Sequence, residues 1–544
     1  MILQGKRGLI IDDRAEMRTA MRIQLADLGL EQCEMARTIK EGVECLGRYR
    51  YDLIVCDYNL GQGTDGQQFL ELVRRRHLLP LSAAFLMVTG ETGYEKVATA
   101  AEYAPDDYLI KPFTAETLGT RIERVFEKKA ALAPIYRCMG TGKEDAEREL
   151  AIAACDALLA AGGRYSLDVL RLKGELLLDA GRAEPAAALY RSVLDQRSTP
   201  WAVVGLARAE LAAGHDAEAR QLFEQSVEAY PHYLAAYDSL AGLLAKTDKA
   251  AAQAVVEQAL KVAPSTQRTR ELGSLALANK DFVRAESAFK RVVDKDRSGF
   301  FKSHDDYSSL ARSCVEQGKT GEALAAVKDM GNAFSRTPAL EARKAAVEAQ
   351  VHVRAGNPVA AEAALQRALA LSEAEKLDAA TTLEVAQACF AGGKPHLAKE
   401  IIGTVAEDHH EDEAILAKAQ AVFAAAGLHD EGTAFIEETR RRMIKLNNDA
   451  VALVKAGKLD EAIDMLVEAA DRLTNNAQIA LNAAIALLMH VRRHGADATR
   501  IARAHGYIEQ ARHANPAHPR LAEATAFYRK IAQPGEAGMP ATPP

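Results

Sequence analysis

Short apolar runs alternate with amphipathic stretches through the first quarter of the chain. GLIIDD, DLIVCD, AFLMVTG and DYLIKP are each a continuous hydrophobic run that ends on polar residues. Runs of this kind are the mark of parallel strands buried on both faces. Strands are predicted near residues 8–13, 31–35, 52–57, 84–88 and 107–110, and a helical stretch follows each, the last being AETLGTRIERVFEKK. Five such βα units over residues 1–128 predict an α/β domain with a doubly wound parallel five-stranded sheet. Right-handed crossovers place helices on both of its faces.

The pattern changes after Lys129. ALAPIYRCMGTGKED mixes Pro, Gly and both polarities, so residues 129–143 read as a linker. From Glu144 the chain is rich in Ala and Leu with helical periodicity, and strand-like runs stop. Ala186, Ala219, Ala252 and Ala285 recur at a spacing of 33, each followed four residues later by Tyr190, Phe223, Val256 or Phe289. The phase continues through Ala323/Val327, Ala361/Leu365, Ala398/Ile402, Ala462/Leu466 and Ala504/Ile508, with Gly432/Ile436 as a degenerate member. Two helices cross closely only where a small residue sits at the crossing, and the larger residue one turn on fills the space against the next pair. Gly181, Gly214, Gly318, Gly356, Gly393, Gly427 and Gly457 stand five residues before the small position, where a turn of positive φ ends the first helix. Pro231, Pro264 and Pro516 stand where the second helix stops. Stacked helical pairs that bury one continuous core predict an all-α superhelical solenoid over 144–532. EDAERELAIAACDALLAAGG reads as its opening helix and LAEATAFYRKIA as its closing cap. The Pro/Gly-rich tail, 533–544, is expected to be disordered.

Composition narrows the function. The chain has 544 residues and a formal net charge of -7, which gives no bulk attraction to nucleic acid or to an anionic membrane. Arg74-Arg75-Arg76 and Arg440-Arg441-Arg442 read as solvated helix faces. Cys33, Cys45, Cys56, Cys138, Cys155, Cys314 and Cys389 show no metal or disulfide spacing, as in a reducing cytoplasm. The start MILQGKRGLIIDD lacks the apolar core of a signal peptide, and no stretch is long enough to span a bilayer. A cytoplasmic protein is expected.

The strand ends carry the chemistry. Asp12, Asp13, Asp57, Thr89 and Lys111 all follow apolar runs, so they gather at the carboxyl edge of the sheet. Mg²⁺ takes one or two carboxylates together with water and phosphate oxygens. Asp13 and Asp57 can supply the carboxylates, with Asp12 ligating through water. Asp57 opens the polar loop YNLGQGTDG, exposed enough to attack an incoming phosphorus. Lys111 can bridge to Asp57 or neutralise a phosphoryl oxygen, and the Thr89 hydroxyl can bond another. Any one of these residues alone would more often be a helix cap or a surface charge. It is the set that points to phosphoryl chemistry.

On these motifs, IIDD, DLIVCDYNL, MVTG and IKPF in order, residues 6–128 resemble the receiver (CheY-like) domain of two-component response regulators. The resemblance implies a phosphoaspartate at Asp57 and a sensor histidine kinase, a phosphotransfer protein or a small acyl phosphate as donor. It also implies Mg²⁺ held by Asp12, Asp13, Asp57 and the backbone carbonyl of Asn59, and a cis bond between Lys111 and Pro112. Tyr108 occupies the family's aromatic switch position and would act with Thr89 on the face of the fourth helix, fifth strand and fifth helix, which could then contact the solenoid, a partner or a second copy. Asn59 and Glu91 stand where the family tunes loss of the phosphoryl group, in a pairing similar to the chemotaxis regulators, whose signal is short-lived.

Residues 165–515 resemble tetratricopeptide repeats, best in AVVGLARAELAAGHDAEARQLFEQSVEAYP and RELGSLALANKDFVRAESAFKRVV, with Leu272-Gly273, Ala285 and Phe289 at consensus places. Spacing rises to 37–38 after Phe300. The resemblance implies a groove for a protein or peptide, with Arg171, Arg208, Tyr237, Arg312 and Arg343 on first helices. The reading is therefore a non-enzymatic response regulator whose output is phosphorylation-dependent protein binding. A phosphate sink or inhibitor of a sensor kinase, and a phosphorylation-independent scaffold, stay open as alternatives.

Overall fold

The computed structural model describes residues 2–61, 65–90, 105–139, 145–295, 302–516 and 518–532. The chain forms two compact units, Met1–Ser313 and Cys314–Pro544.

The first unit begins with strands β1 (Arg7–Ile11), β2 (Gln32–Ala36), β3 (Leu53–Asp57), β4 (Ala84–Thr89) and β5 (Asp107–Ile110). They form one sheet in the order β2-β1-β3-β4-β5, with every neighbouring pair parallel. Strand alternation sends Leu9, Ile11, Ile54, Cys56, Phe85 and Met87 to one face, where they pack with Ile39, Phe69 and Val73. Ile10, Val55, Leu86, Val88 and Leu109 go to the other, against Met21, Leu25, Leu118 and Ile122. Both faces are covered, so the inner strands β3 and β4 are buried along their whole length and turn polar only where they end, whereas the edge strand β2 carries Gln32 and Glu34. The helix expected between β4 and β5 falls on residues 91–104, outside the described residues.

One expectation is corrected. The helix Ala115–Cys138 runs through most of the stretch read as a linker, with Pro134 inside it. Its leading half buries Leu118, Ile122 and Val125 in the core of the α/β domain. Its trailing half buries Leu132 and Ile135 among Ile152, Cys155 and Leu176 of the repeats. Pro134 removes the donor for the carbonyl of Ala130, but both residues are exposed, so water can take that bond. The sequence signal of a breaker was outweighed by apolar residues on the opposite face.

Helical pairs then follow: Ser166–Asp179 with Ala183–Gln196, Pro200–Ala212 with Asp216–Ala229, Leu234–Leu244 with Lys249–Val262, and Thr266–Ala278 with Phe282–Lys295. Ala186, Ala219, Ala252 and Ala285 are all fully buried, and so are their larger partners one turn on. Tyr190 shows why smallness is needed: a Cβ on Gly174 or Gly205 would come within 2.5 or 2.4 Å of its ring. The predicted turn glycines adopt positive φ, from +70° at Gly181 to +86° at Gly214.

The second unit continues the same scheme. The helices Pro338–Arg354 and Pro358–Ala374 have 17 residues each, against 14 in Ala183–Gln196, and this lengthening contributes to the wider spacing read there. The helix His429–Lys455 runs for 27 residues without a turn. It closes one pair at Gly432, where a Cβ would meet Phe423, and opens the next before Gly457. The closing helix is Leu521–Ala532, and residues 533–544 lie outside the described residues. Among the described residues no helix is long and apolar enough to cross a membrane.

Candidate functional site

The site is built where hydrophobic strands run out. β1 delivers Asp12 and Asp13, β3 ends on Asp57, β4 ends on Thr89, and β5 leads into Lys111. Parallel pairing brings these ends together. The Lys111 Nζ lies 3.0 Å from Asp12 Oδ2 and 3.1 Å from Asp57 Oδ1. Asp12 is fully buried. Its other oxygen accepts the Arg14 backbone N–H at 2.9 Å, so both oxygens of this carboxylate are satisfied. Arg18 donates to the Asp12 carbonyl at 2.7 Å. The Lys111 N–H donates to the Thr89 carbonyl at 2.7 Å, locking β5 to β4 just where both strands end. The Lys111–Pro112 peptide is cis.

Burial raises the Asp57 pKa above the ordinary carboxylate value, Lys111 opposes that rise, and Asp12 adds to it. A carboxylate short of compensating charge is what a cation and an anionic ligand would relieve together. Carboxylate oxygens of Asp12, Asp13 and Asp57 all lie within 4.8 Å of one another, with Asp13 the most open of the three. A set of hard oxygen ligands at this separation fits Mg²⁺.

The remaining candidates are placed unevenly. Thr89 is buried at the end of its strand. Asn59 is exposed, and its side-chain Oδ1 accepts the Gly61 N–H at 3.0 Å. Tyr108 is 7% exposed and packs in the cluster that holds Phe69, Phe85 and Met87. Burial, with Tyr58 nearby, pushes its hydroxyl pKa up. Glu91 lies outside the described residues.

Three features went unread in the sequence. A Cβ on Gly66 would stand 2.3 Å from the Asp57 carbonyl oxygen, so only glycine lets the next helix begin there. Gly61 takes φ +70°, and a Cβ on it would stand 2.9 Å from Asp13 Oδ2. Asp65 and Gln68 close a capping box on the helix Gly66–Arg75, which the D-G-Q-Q spacing would have revealed. On the same domain Lys129 is buried, 2.7 Å from Asp106 Oδ1, and donates to the Leu81 carbonyl at 2.8 Å.

The residues expected in a repeat groove do not form one set. Tyr237 and Arg343 are buried. Tyr237 bonds the Pro231 carbonyl at 3.1 Å, and the Arg343 Nε bonds Thr381 at 3.3 Å. Arg171 pairs with Glu175 on its own helix. Most of the arginine runs are paired in place: Arg74 with Asp106, Arg75 with Glu71, Arg440 with Glu413, Arg441 with Glu438 and Arg442 with Glu407. Among the described residues the cysteines form no disulfide.

Comparison with known proteins matches the α/β domain and the first helical pairs of the array. The response regulator receiver domain matches residues 9–123, and the tetratricopeptide repeat matches residues 177–246 and 242–299. Over 120 residues the chain is 32% identical to the chemotaxis protein CheY-3 of Vibrio cholerae, covering 22% of this chain and 91% of that protein. Over 123 residues it is 34% identical to the chemotaxis protein CheY of Pseudomonas aeruginosa, covering 22% of this chain and 95% of the other. A solved structure of CheY4 from Vibrio cholerae aligns at 29% identity and a TM-score of 0.21, covering 22% of this chain and 98% of its own. The C-terminal part of a TPR repeat-containing protein from Cytophaga hutchinsonii aligns at 16% identity and a TM-score of 0.36, covering 46% and 96%.

Proposed function

The chain belongs to the response-regulator family, and from that premise we propose that it is a cytoplasmic regulator phosphorylated on Asp57 whose repeats bind protein partners according to that phosphorylation. The observation that carries the reading is Lys111 Nζ poised 3.0 and 3.1 Å from two buried carboxylates at the carboxyl edge of the sheet.

Asp57 attacks the phosphorus of a phosphohistidine, on a sensor kinase or phosphotransfer protein, or of an acyl phosphate. The bond from phosphorus to the leaving nitrogen or oxygen breaks as the new P–O bond forms. Lys111, already beside Asp57, stays to neutralise the oxygens that arrive. Asp12, Asp13 and Asp57, with the Asn59 carbonyl, would hold Mg²⁺, which when bound supplies positive charge against the anionic donor. The Thr89 hydroxyl takes a phosphoryl oxygen, and Tyr108 moves with it as the switch. Asn59 and Glu91 set how fast water removes the group. The output is binding rather than catalysis on an outside substrate, and the receiver's own face serves as a homodimer contact. The partner is a protein or peptide on the repeat surface, and neither nucleic acid nor membrane is required.

The full chain incubated with acetyl phosphate and Mg²⁺ should gain one acid-labile phosphoryl group, and Asp57→Ala none. Affinity capture with beryllofluoride-loaded, unmodified and Asp57→Ala protein should return different partners for the loaded form. Labelling that persists in Asp57→Ala, or one partner set for all three, would refute the reading. A label that persisted for hours would remove only the part assigned to Asn59 and Glu91.

A further inference from the structure

Among the described residues, the first unit holds its α/β domain against the repeats at two places. One is the shared helix Ala115–Cys138, whose trailing half is anchored by apolar burial. Around it the Tyr165 hydroxyl donates to Glu127 at 3.2 Å, and Lys128 pairs with Asp168. The other lies much further along the chain. The helices Thr266–Ala278 and Phe282–Lys295 face the start of the helix Gly66–Arg75 across one cleft. Tyr58, Asp65 and Glu71 line it from the α/β side, and Arg268, Arg270 and Lys295 from the repeats. Acidic groups stand on one wall and basic groups on the other. Lys295 Nζ lies 3.7 Å from Asp65 Oδ2.

The acidic wall is mechanically part of the phosphorylation site. Tyr58 directly follows Asp57. The Gly66 N–H donates to the Tyr58 carbonyl at 2.6 Å, and Asn59 pairs with Asp65 in an isolated bridge. Asp65 also caps the helix behind them. The basic wall is tied to the stacking of the repeats. Arg268 is held by Asp238 through bonds of 2.7 and 2.6 Å, and Arg270 by Asp306 through bonds of 2.7 and 2.9 Å. Asp238 belongs to the helix Leu234–Leu244 of the preceding pair and Asp306 to the helix His304–Val315 that follows. The arginine forks are therefore aimed by the neighbouring repeats on both sides, and a change in how those repeats stack would move the basic wall.

Half-exposed ion pairs of this kind contribute little each, about 0–1 kcal/mol. Such a contact can be tipped by a change of charge, whereas the apolar anchor of the shared helix cannot. Phosphorylation adds negative charge beside Tyr58, on the wall of the cleft that faces Lys295 and the two aspartate-paired arginines. We propose that the cleft is a phosphate-responsive clasp, in which Arg268, Arg270 and Lys295 hold the α/β domain more tightly when Asp57 carries a phosphoryl group and so set the stacking of the first repeats. The proposal rests on Asp57 as phosphoacceptor. Coupling between two sites is reciprocal, so the clasp also favours the phosphorylated state. A partner that reshapes these repeats would alter the phosphoryl affinity of Asp57.

The test uses the full chain and beryllofluoride with Mg²⁺ as probe, read by calorimetric titration and by backbone hydrogen exchange over residues 263–270. The proteins are wild type, Lys295→Glu, Asp65→Asn and Asp57→Ala. Lys295 ends its helix and is 42% exposed, so its replacement spares the core. Asparagine caps a helix as well as aspartate does, so Asp65→Asn removes charge and keeps the cap. We expect loading to slow exchange over 263–270 in wild type. We expect Lys295→Glu to weaken beryllofluoride binding by about fivefold, with Asp65→Asn weaker in the same direction. Wild-type affinity in both variants, with exchange unchanged on loading, overturns the clasp alone. Binding that is absent from wild type, or equal in Asp57→Ala, overturns the phosphoacceptor and the clasp with it.

Discussion

At the carboxyl edge of the sheet, Lys111 lies 3.0 and 3.1 Å from two buried carboxylates. At the crossings of the repeats, Ala219 and Phe223 are just as buried and pack in an apolar cluster with Val204, Leu240 and Val256. The first region gathers like charges and holds them with one cation; the second excludes charge and is held by shape. The sheet edge is therefore sensitive to pH, ions and covalent charge, while the crossings respond to volume alone. On the proposed function, a signal that arrives as charge must be converted into shape to reach the array. Among the described residues of the first unit, the apolar shared helix and the polar cleft both join the α/β domain to the repeats, and the weak ion pairs of the cleft suit a switch better than apolar burial does.

The comparison is tested most severely by volume. Phe223→Ala removes a fully buried ring and should cost about 3–5 kcal/mol in urea unfolding. The loss should concentrate in neighbouring repeats, because each repeat packs mainly on the next. A cost under about 1 kcal/mol would show that shape does not hold this region.

Charge comes next. Lys111→Ala leaves two buried carboxylates without their cation and should destabilise the α/β domain by about 3 kcal/mol at neutral pH. The sign of the pH effect follows from Asp57, whose pKa is raised in the folded state, first by burial. The stability tied to its protonated form is present at low pH and is lost as pH rises through that raised value. Removing Lys111 takes away the main influence opposing the rise, so the fall with pH should steepen and move upward. Thermal midpoints of both proteins between pH 4 and pH 8 check this. An unchanged slope would mean that Lys111 and Asp57 are not coupled.

The smallest effect concerns the backbone. Gly214 takes φ +86° in a turn with open space around it. Gly214→Ala should cost about 1 kcal/mol from conformation alone, with no change in beryllofluoride binding at the distant sheet edge. A larger cost would mean that the turn also packs.

Much of this could be read in the chain before any fold was known. The five strands lie within a residue or two of their predicted places, and the inner strands β3 and β4 do so because burial on both faces forces continuous apolar runs. The small-then-large pairs and the turn glycines hold phase because every repeat must meet its neighbour in the same way. The closing helix Leu521–Ala532 matches the segment read as a cap. What failed was whatever depended on partners distant in sequence. Arg343 looks like a groove residue by position but is buried and bonds Thr381 on a later helix. The stretch from Lys129 to Cys138 looks like a linker by composition but is helical, because Leu132 and Ile135 find a core in the repeats.

The sequence alone determined the parallel sheet, the polar set at its edge and the register of the array, since each follows from local periodicity and from residue types repeated at fixed spacing. Tertiary structure decided that Lys111 lies between Asp12 and Asp57, that one helix serves two cores, and that Lys295 faces Asp65. These are matters of distance between segments remote along the chain, and periodicity carries no information about them. They are set by how the elements pack once both faces of the sheet and both sides of each helical pair are covered.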